Sequence, residues 1–279
     1  MSDFAREVSV EERRASIAAY RSAGWARLPG VASAPLLASL RARADALVAG
    51  EVVWPGMFFE PDSSSGRYAD LTRVPGWVGP DTRYRKLEKL ELDPLYRGWM
   101  ENPLFAAIAT EVLGPAVTLY RAVIFWKAPE LGSELPWHQD GGRMWGLDRA
   151  PVLQIWTALD DAPAEAGCLE VLPGSHHGGL ATPLGGVVPA GQAAALDAEA
   201  HALAVPARAG DVVLLHNQLW HRSGPNLTRA PRRAFTVCFL DAGTRCVRTR
   251  RAPRTFLPLF QDRDPDRSSS SDRPPPSPS

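Results

Sequence analysis

The chain predicts an all-β sandwich or barrel of short strands with helices packed in front of it, and three observations carry that prediction. Helical periodicity stops at Gly114. Beyond it, short apolar runs take over (117–126, 152–159, 168–172, 211–216 and 234–241), each bounded by Gly, Pro, Asn or Asp. The 26 prolines and 23 glycines supply the many turns such a core requires, more than a helical bundle would use.

The N-terminal helices can be placed from their caps. Ser9-Val10-Glu11-Glu12 is a capping box, and the helix it starts should end at Gly24. A second helix runs from about Ser33 to Gly50, with Leu36, Leu37, Leu40, Ala44, Leu47 and Val48 on one face at spacings of three and four. A third begins at Asn102-Pro103 and stops at Gly114, with Phe105, Ile108, Ala109 and Val112 as its inner stripe. The Gly- and Ala-rich stretch 183–204 reads as an insertion with one short helix from Ala190 to His201. The expected organisation is one domain over 1–261, helical to about 114 with a β core over about 115–245. A polar, proline-rich tail over 262–279 is expected to be disordered.

Composition removes several function classes. With 31 basic against 31 acidic residues, no general attraction to nucleic acid is expected. No apolar run is long enough to span a membrane, and no signal-peptide pattern opens the chain. Three cysteines, Cys168, Cys238 and Cys246, lack CxxC spacing, which argues against a disulfide framework and for a cytoplasmic protein. Cys168 and Cys238 lie inside apolar runs and should be core.

One short stretch concentrates chemistry: Pro136-Trp137-His138-Gln139-Asp140-Gly141-Gly142. On an extended segment residues i and i+2 share a face, so His138 and Asp140 converge. An imidazole and a carboxylate, completed by a second histidine, make the facial triad of non-haem Fe(II) oxygenases, which leaves coordination positions open. The remaining histidines are His176, His177, His201, His216 and His221. His221, just beyond the apolar run 211–216, ranks ahead of His216, which would face the opposite side of a continuous strand. An HxD alone is a common chance pairing; the order of features along the chain gives it weight.

In that order the sequence resembles the phytanoyl-CoA dioxygenase family of Fe(II)/2-oxoglutarate-dependent oxygenases. The segments that carry the resemblance are His138-Gln139-Asp140, then Trp156-Thr157-Ala158-Leu159, Gly167-Cys168-Leu169 and Pro173-Gly174-Ser175-His176. Gly210-Asp211-Val212, His221-Arg222-Ser223-Gly224-Pro225-Asn226 and Arg232 follow. The resemblance implies a double-stranded β-helix (a cupin-like jelly-roll) and His138, Asp140 and His221 as iron ligands. It implies Arg232 as the anchor of the far carboxylate of 2-oxoglutarate, with Ser223 beside it and Trp156 lining the pocket. Arginine's planar fork suits that task, while Arg233 would point to the other face. An upstream lysine is also implied to touch the co-substrate, with Lys86 and Lys89 both eligible. Arg222 stands where relatives often have glycine and should turn away from the metal. Halogenating relatives lose the carboxylate that Asp140 keeps, so halogenation is not expected.

The expected activity is hydroxylation of a small organic molecule at an unactivated carbon, using Fe(II), 2-oxoglutarate and O2 and releasing succinate and CO2. Desaturation or ring closure could replace it. The alternatives are a cupin-like metal enzyme without 2-oxoglutarate and a non-catalytic jelly-roll binding protein. Trp126, Trp137, Met144 and Trp145, close to the HxD, suit an apolar or aromatic substrate or serve as plain packing. Arg245, Arg248, Arg250, Arg251 and Arg254 form a basic run that is either a solvated face or a site for a phosphate or CoA moiety. The expected partner is a small molecule, not nucleic acid or membrane, with monomer and homodimer both open.

Overall fold

The computed structural model describes residues 5–71, 76–80, 83–130, 132–249 and 252–261. Two antiparallel sheets form its centre. The larger, eight-stranded sheet runs β1 (Trp25–Leu28), β10 (Val212–His216), β6 (Leu153–Ala158), β12 (Arg232–Asp241), β4 (Val117–Lys127), β3 (Tyr84–Glu88) and β2 (Phe58–Pro61), with β13 (Leu257–Phe260) also on β4. The smaller sheet runs β8 (Gly186–Val187), β5 (Leu135–Gln139), β11 (His221–Ser223), β7 (Leu169–Val171) and β9 (Leu203–Val205).

Alternation along the central strands divides the core into two layers. Ile155, Val212, Leu214, Phe235, Val237 and Phe239 face outward into a core shared with the helices. Trp156, Val213, Leu215 and Ala234, one residue out of phase, face inward and pack on Leu169, Val171 and Val205 of the smaller sheet. The helices α1 (Val10–Ala23), α2 (Ala34–Ala49), α3 (Pro94–Met100) and α4 (Pro103–Leu113) therefore cover only the outer face of the large sheet. The inner space between the sheets is left for the site.

The helix ends are as the sequence predicts. The Ser9 hydroxyl accepts from the Glu12 N–H at 3.0 Å, and Gly24 closes α1 at φ 84°. Ser33 and Asn102 cap α2 and α4 in the same way, and Gly50 ends α2 in the left-handed region. Three expectations need correction. The N-terminal part is not purely helical, because β1, β2 and β3 belong to the large sheet. These strands have four or five residues each, too few for an alternating pattern to stand out, and mixed polarity obscures it further. α3, capped by Asp93, precedes α4 as a separate helix. The insertion's helix, α5, covers only Ala190–Ala195, and β8 and β9 flank it. The tail 262–279 lies outside the described residues.

Cys168 and Cys238 are buried free thiols, as expected. Among the described residues no helix is long and apolar enough to cross a membrane. The basic run is mostly structural: Arg245 pairs with Asp148 at 3.0 Å, Arg248 donates to the Trp145 carbonyl, and Arg254 donates to that of Tyr120. Arg250 and Arg251 lie outside the described residues.

The smaller sheet depends on a close crossing at Gly167, which sits at φ 69° with no room for a side chain, because a methyl there would strike the Gly224 carbonyl oxygen. Gly167→Ala should destabilise the fold by more than the ~1–2 kcal/mol cost of the left-handed conformation alone. Thermal unfolding checks this; an unchanged melting temperature would show that β7 and β11 can separate without loss.

Candidate active site

The two histidines meet because their strands pair. β5 and β11 are antiparallel neighbours, with His138 opposite His221 and ring centroids 4.0 Å apart. Asp140 follows the end of β5, and its Oδ2 lies 3.8 Å from His221 Nε2. One donor atom from each of the three residues falls within 4.8 Å of the others. In both rings Nδ1 is 2.9 Å from the backbone carbonyl two residues earlier, Pro136 for His138 and Leu219 for His221. A carbonyl only accepts, so each Nδ1 carries the proton and each Nε2 keeps its lone pair for a metal.

The electrostatics favour the same donor set. Burial, reinforced by His221, pushes the His138 imidazolium down to about 3, so the ring is neutral at physiological pH. Burial alone would raise the Asp140 carboxyl. The Arg121 guanidinium, helped by the hydrogen bond from Gln154, outweighs it and holds the group well below the usual carboxylate range. Arg121 Nη2 is 3.2 Å from Asp140 Oδ2, and the Gln154 amide donates to the same oxygen at 2.8 Å. Two imidazoles that turn Nε2 to one point and one anchored carboxylate suit a divalent first-row metal with open positions.

A cavity leads from this cluster to Arg232, lined also by Ser223, Trp156 and Lys127. Arg232 is 2% exposed, and its side chain donates to the Gly167 carbonyl. Its Nε has no partner, and no ion pair to it occurs among the described residues. Burial brings its guanidinium down to about 10. Lys127, directly opposite Arg232 on β4, is also buried and donates to the Ser133 carbonyl. Burial, with Arg232 alongside, holds its ammonium well below the ordinary lysine range. A buried guanidinium without a counter-ion is costly, and a ligand carboxylate would supply the missing acceptor. These residues fit a dicarboxylate whose other end reaches the metal cluster.

Strand parity separates the two neighbouring arginines. Arg233 points outward, where Asp160 takes it through Nε at 2.7 Å and Nη2 at 3.0 Å, and Asp45 accepts from Nη1 at 2.7 Å. Arg222 also turns away from the triad, to Glu170 at 2.8 Å and Glu199 at 2.5 Å. The other histidines stay apart: His176 lies between His177 and His216, its ring centroid 4.0 and 4.8 Å from theirs with the planes tilted, near the end of α1. His201 bonds the Asp197 carbonyl.

Neither upstream lysine lines the Arg232 cavity. Lys86 pairs with Glu88, and Lys89 is exposed at a left-handed turn. The basic residues on that cavity are instead Arg85 and Lys127. Of the aromatic group near the HxD, Trp126 packs under Arg233 and Trp137 under Arg222. Met144 and Trp145 alone of these four face the chamber in front of the triad. Sequence reasoning missed Arg121, Lys127 and Gln154. The signal was available, since Arg121 and Lys127 interrupt the apolar run of β4 at an even spacing and so share its inner face.

The sequence profile of the phytanoyl-CoA dioxygenase (PhyH) family matches residues 20–234, and the chain belongs to that family. It is 31% identical over 158 residues to phytanoyl-CoA dioxygenase domain-containing protein 1 of Bos taurus, covering 54% of each chain. It is 29% identical over 165 residues to L-proline trans-4-hydroxylase of Streptomyces griseoviridis, covering 58% of this chain and 54% of that one. The matches thus span about half the length of these curated relatives. Among solved structures, the non-heme alpha ketoglutarate dependent carbocyclase SnoK from nogalamycin biosynthesis superposes with a TM-score of 0.66 at 22% identity, over 92% of this chain and 98% of that one. EctD from S. alaskensis, with 2-oxoglutarate and 5-hydroxyectoine, gives 0.68 at 20% identity, over 91% and 86%. The fold they share is the jelly-roll.

The two arginines should separate in stability measurements without any ligand. Arg233→Met removes three charge-assisted bonds and leaves Asp160 with Arg41 alone, which should cost on the order of 2–3 kcal/mol. Arg232→Met removes a buried charge that lacks a counter-ion and should leave the melting temperature unchanged or raised. Equal losses in thermal unfolding would contradict this assignment.

Proposed function

We propose that the chain is an Fe(II)- and 2-oxoglutarate-dependent oxygenase that hydroxylates a small organic molecule and releases succinate and carbon dioxide. The observation that carries this reading is the coexistence, on one cavity, of the His138–Asp140–His221 cluster and a buried Arg232 with no counter-ion. His138 Nε2, His221 Nε2 and the Asp140 carboxylate would hold the metal. Arg232 would hold the far carboxylate of 2-oxoglutarate, with Ser223 and Lys127 beside it and Trp156 as a wall. Relatives named as phytanoyl-CoA dioxygenase domain proteins and a proline hydroxylase support the reaction class.

When bound, ferrous ion and 2-oxoglutarate would supply the electrons that activate dioxygen, the oxidant, as the co-substrate is decarboxylated to succinate. The chain's own residues position and shield. The carbonyls of Pro136 and Leu219 fix the two imidazole tautomers, and Arg121 with Gln154 holds the Asp140 carboxylate in place. Trp156, Leu169 and Leu215 give the cavity apolar walls that limit water near the oxidant. The unpaired Arg232 disfavours a metal enzyme that does without a dicarboxylate, and the complete triad disfavours a purely binding role. The substrate is expected to be a small molecule acting within a protein free in solution, not at a membrane or on nucleic acid.

Anaerobic titration should find one Fe(II) per chain, and His221→Ala should abolish that binding while the fold survives. Arg232→Ala should raise the 2-oxoglutarate requirement by the equivalent of about 2–5 kcal/mol, read as succinate formed against co-substrate concentration. Metal binding undiminished in His221→Ala, or an unchanged requirement in Arg232→Ala, would overturn the assignment.

A further inference from the structure

A second chamber, of about 590 Å³, opens from the triad. It shares Arg85, Phe125, Leu135, His138 and Asp140 with the Arg232 cavity but excludes Arg232, Ser223 and Lys127. On the oxygenase reading, which this inference rests on, it is where the substrate sits. Its walls are not the apolar surface that the nearby tryptophans suggested. Glu60, Arg85, Lys86, Glu88 and Arg121 all line it.

Four of these five charges are already matched, since Arg85 pairs with Glu60 and Lys86 with Glu88. Arg121 is different. Among the described residues its one ion pair is with Asp140, and its Nε is buried without a partner. That carboxylate already accepts from Gln154 and would be shared with the metal. With metal, Asp140, 2-oxoglutarate and Arg232 together, the formal charges cancel, and Arg121 is the cation left over. The group is also held rigidly. Its guanidinium lies 4.6 Å from the Trp145 ring, which Tyr120 stacks on at 4.4 Å with the planes 9° apart. A β-bulge opposite Cys238 and Phe239 inserts Tyr120 into β4 immediately before Arg121, so both residues reach the same aromatic ring.

We propose that Arg121 anchors an anionic group of the substrate, and that the substrate is therefore a small carboxylate or similar anion. The planar fork matches a carboxylate edge and stays charged at any working pH. Because Arg121 sits against a metal ligand, the anchored group lies beside the metal. The carbon presented for oxidation is then only a few bonds from the anion, not at the far end of a long chain.

The test uses the anaerobic Fe(II)–2-oxoglutarate protein and a panel of short-chain carboxylic acids, amino acids among them, each with its uncharged primary amide. Binding is read as a perturbation of the visible charge-transfer band of the bound metal and co-substrate. The expected result is that at least one acid binds about 30-fold or more tightly than its amide. With Fe(II) and 2-oxoglutarate at saturating concentration, to offset the looser hold on Asp140, Arg121→Met should bring the acid down to the level of the amide, and Arg121→Lys should recover part of the preference. Acids and amides binding alike, no acid perturbing the band, or a preference that survives Arg121→Met would overturn the proposal. So would an Arg121→Met protein whose preference for the acid returns once the metal is reloaded, since Arg121 would then only brace Asp140. Failure of the oxygenase reading itself would appear earlier, as a wild-type protein that forms no charge-transfer band at all.

Discussion

The site depends on one antiparallel pairing, His138 opposite His221, in the smaller sheet. Side chains alternate across a strand, so a slip of one residue in β5 or β11 would turn a ligand to the wrong face. Short strands alone would hold that register poorly, and β11 has only three residues. Gln139, 1% exposed between the two metal-facing residues, provides much of the fixing. Its amide donates to the Gly179 carbonyl at 2.7 Å and the Gln218 carbonyl at 2.6 Å, and its oxygen accepts from the Ala181 N–H at 2.7 Å. The residue between the two ligands of the HxD thus ties its strand to the segment that delivers His221. The Asp140 N–H adds a bond to the Asn217 carbonyl at 2.8 Å.

The large sheet sets the second feature, the separation of charges by parity. Adjacent arginines on β12 enter opposite environments: Arg233 meets Asp160 and Asp45 under the helices, whereas Arg232 enters the inner cavity, where its Nε has no partner and no ion pair to it occurs among the described residues. The same alternation on β6 sends Gln154 and Trp156 inward to the site and Thr157 outward, where it accepts from Trp99. On β4 it places Arg121 and Lys127 at the two ends of the inner face, one on each chamber. On the proposed reading, an incoming anion would pair with a cation that the packing now leaves unsatisfied.

Much of this was legible in the sequence, for identifiable physical reasons. Helix caps depend on a few adjacent residues, so the limits set by Ser9, Gly24, Ser33, Gly50 and Asn102 could be read directly. The HxD was legible because i and i+2 share a face, and Arg232 because family spacing fixed its register against Arg233. What could not be read depends on contacts distant in sequence. The short strands β1, β2 and β3 exist because the large sheet offers them partners. Lys127 entered the cavity in place of Lys86 because β4, not β3, lies directly against β12. The tryptophans near the HxD suggested an apolar pocket, but two of them serve as platforms for Arg222 and Arg233 on other faces.

The central claim is that the His138–Asp140–His221 cluster and Arg232 are the two ends of a single metal-and-dicarboxylate site. A crystal structure of the protein with Mn(II), as a redox-silent substitute, and 2-oxoglutarate tests it most directly. The account predicts metal on Nε2 of both histidines and on the Asp140 carboxylate, with the co-substrate's far carboxylate on the Arg232 guanidinium. Metal bound elsewhere, or a 2-oxoglutarate that leaves Arg232 uncontacted and settles on Arg121 instead, would contradict it.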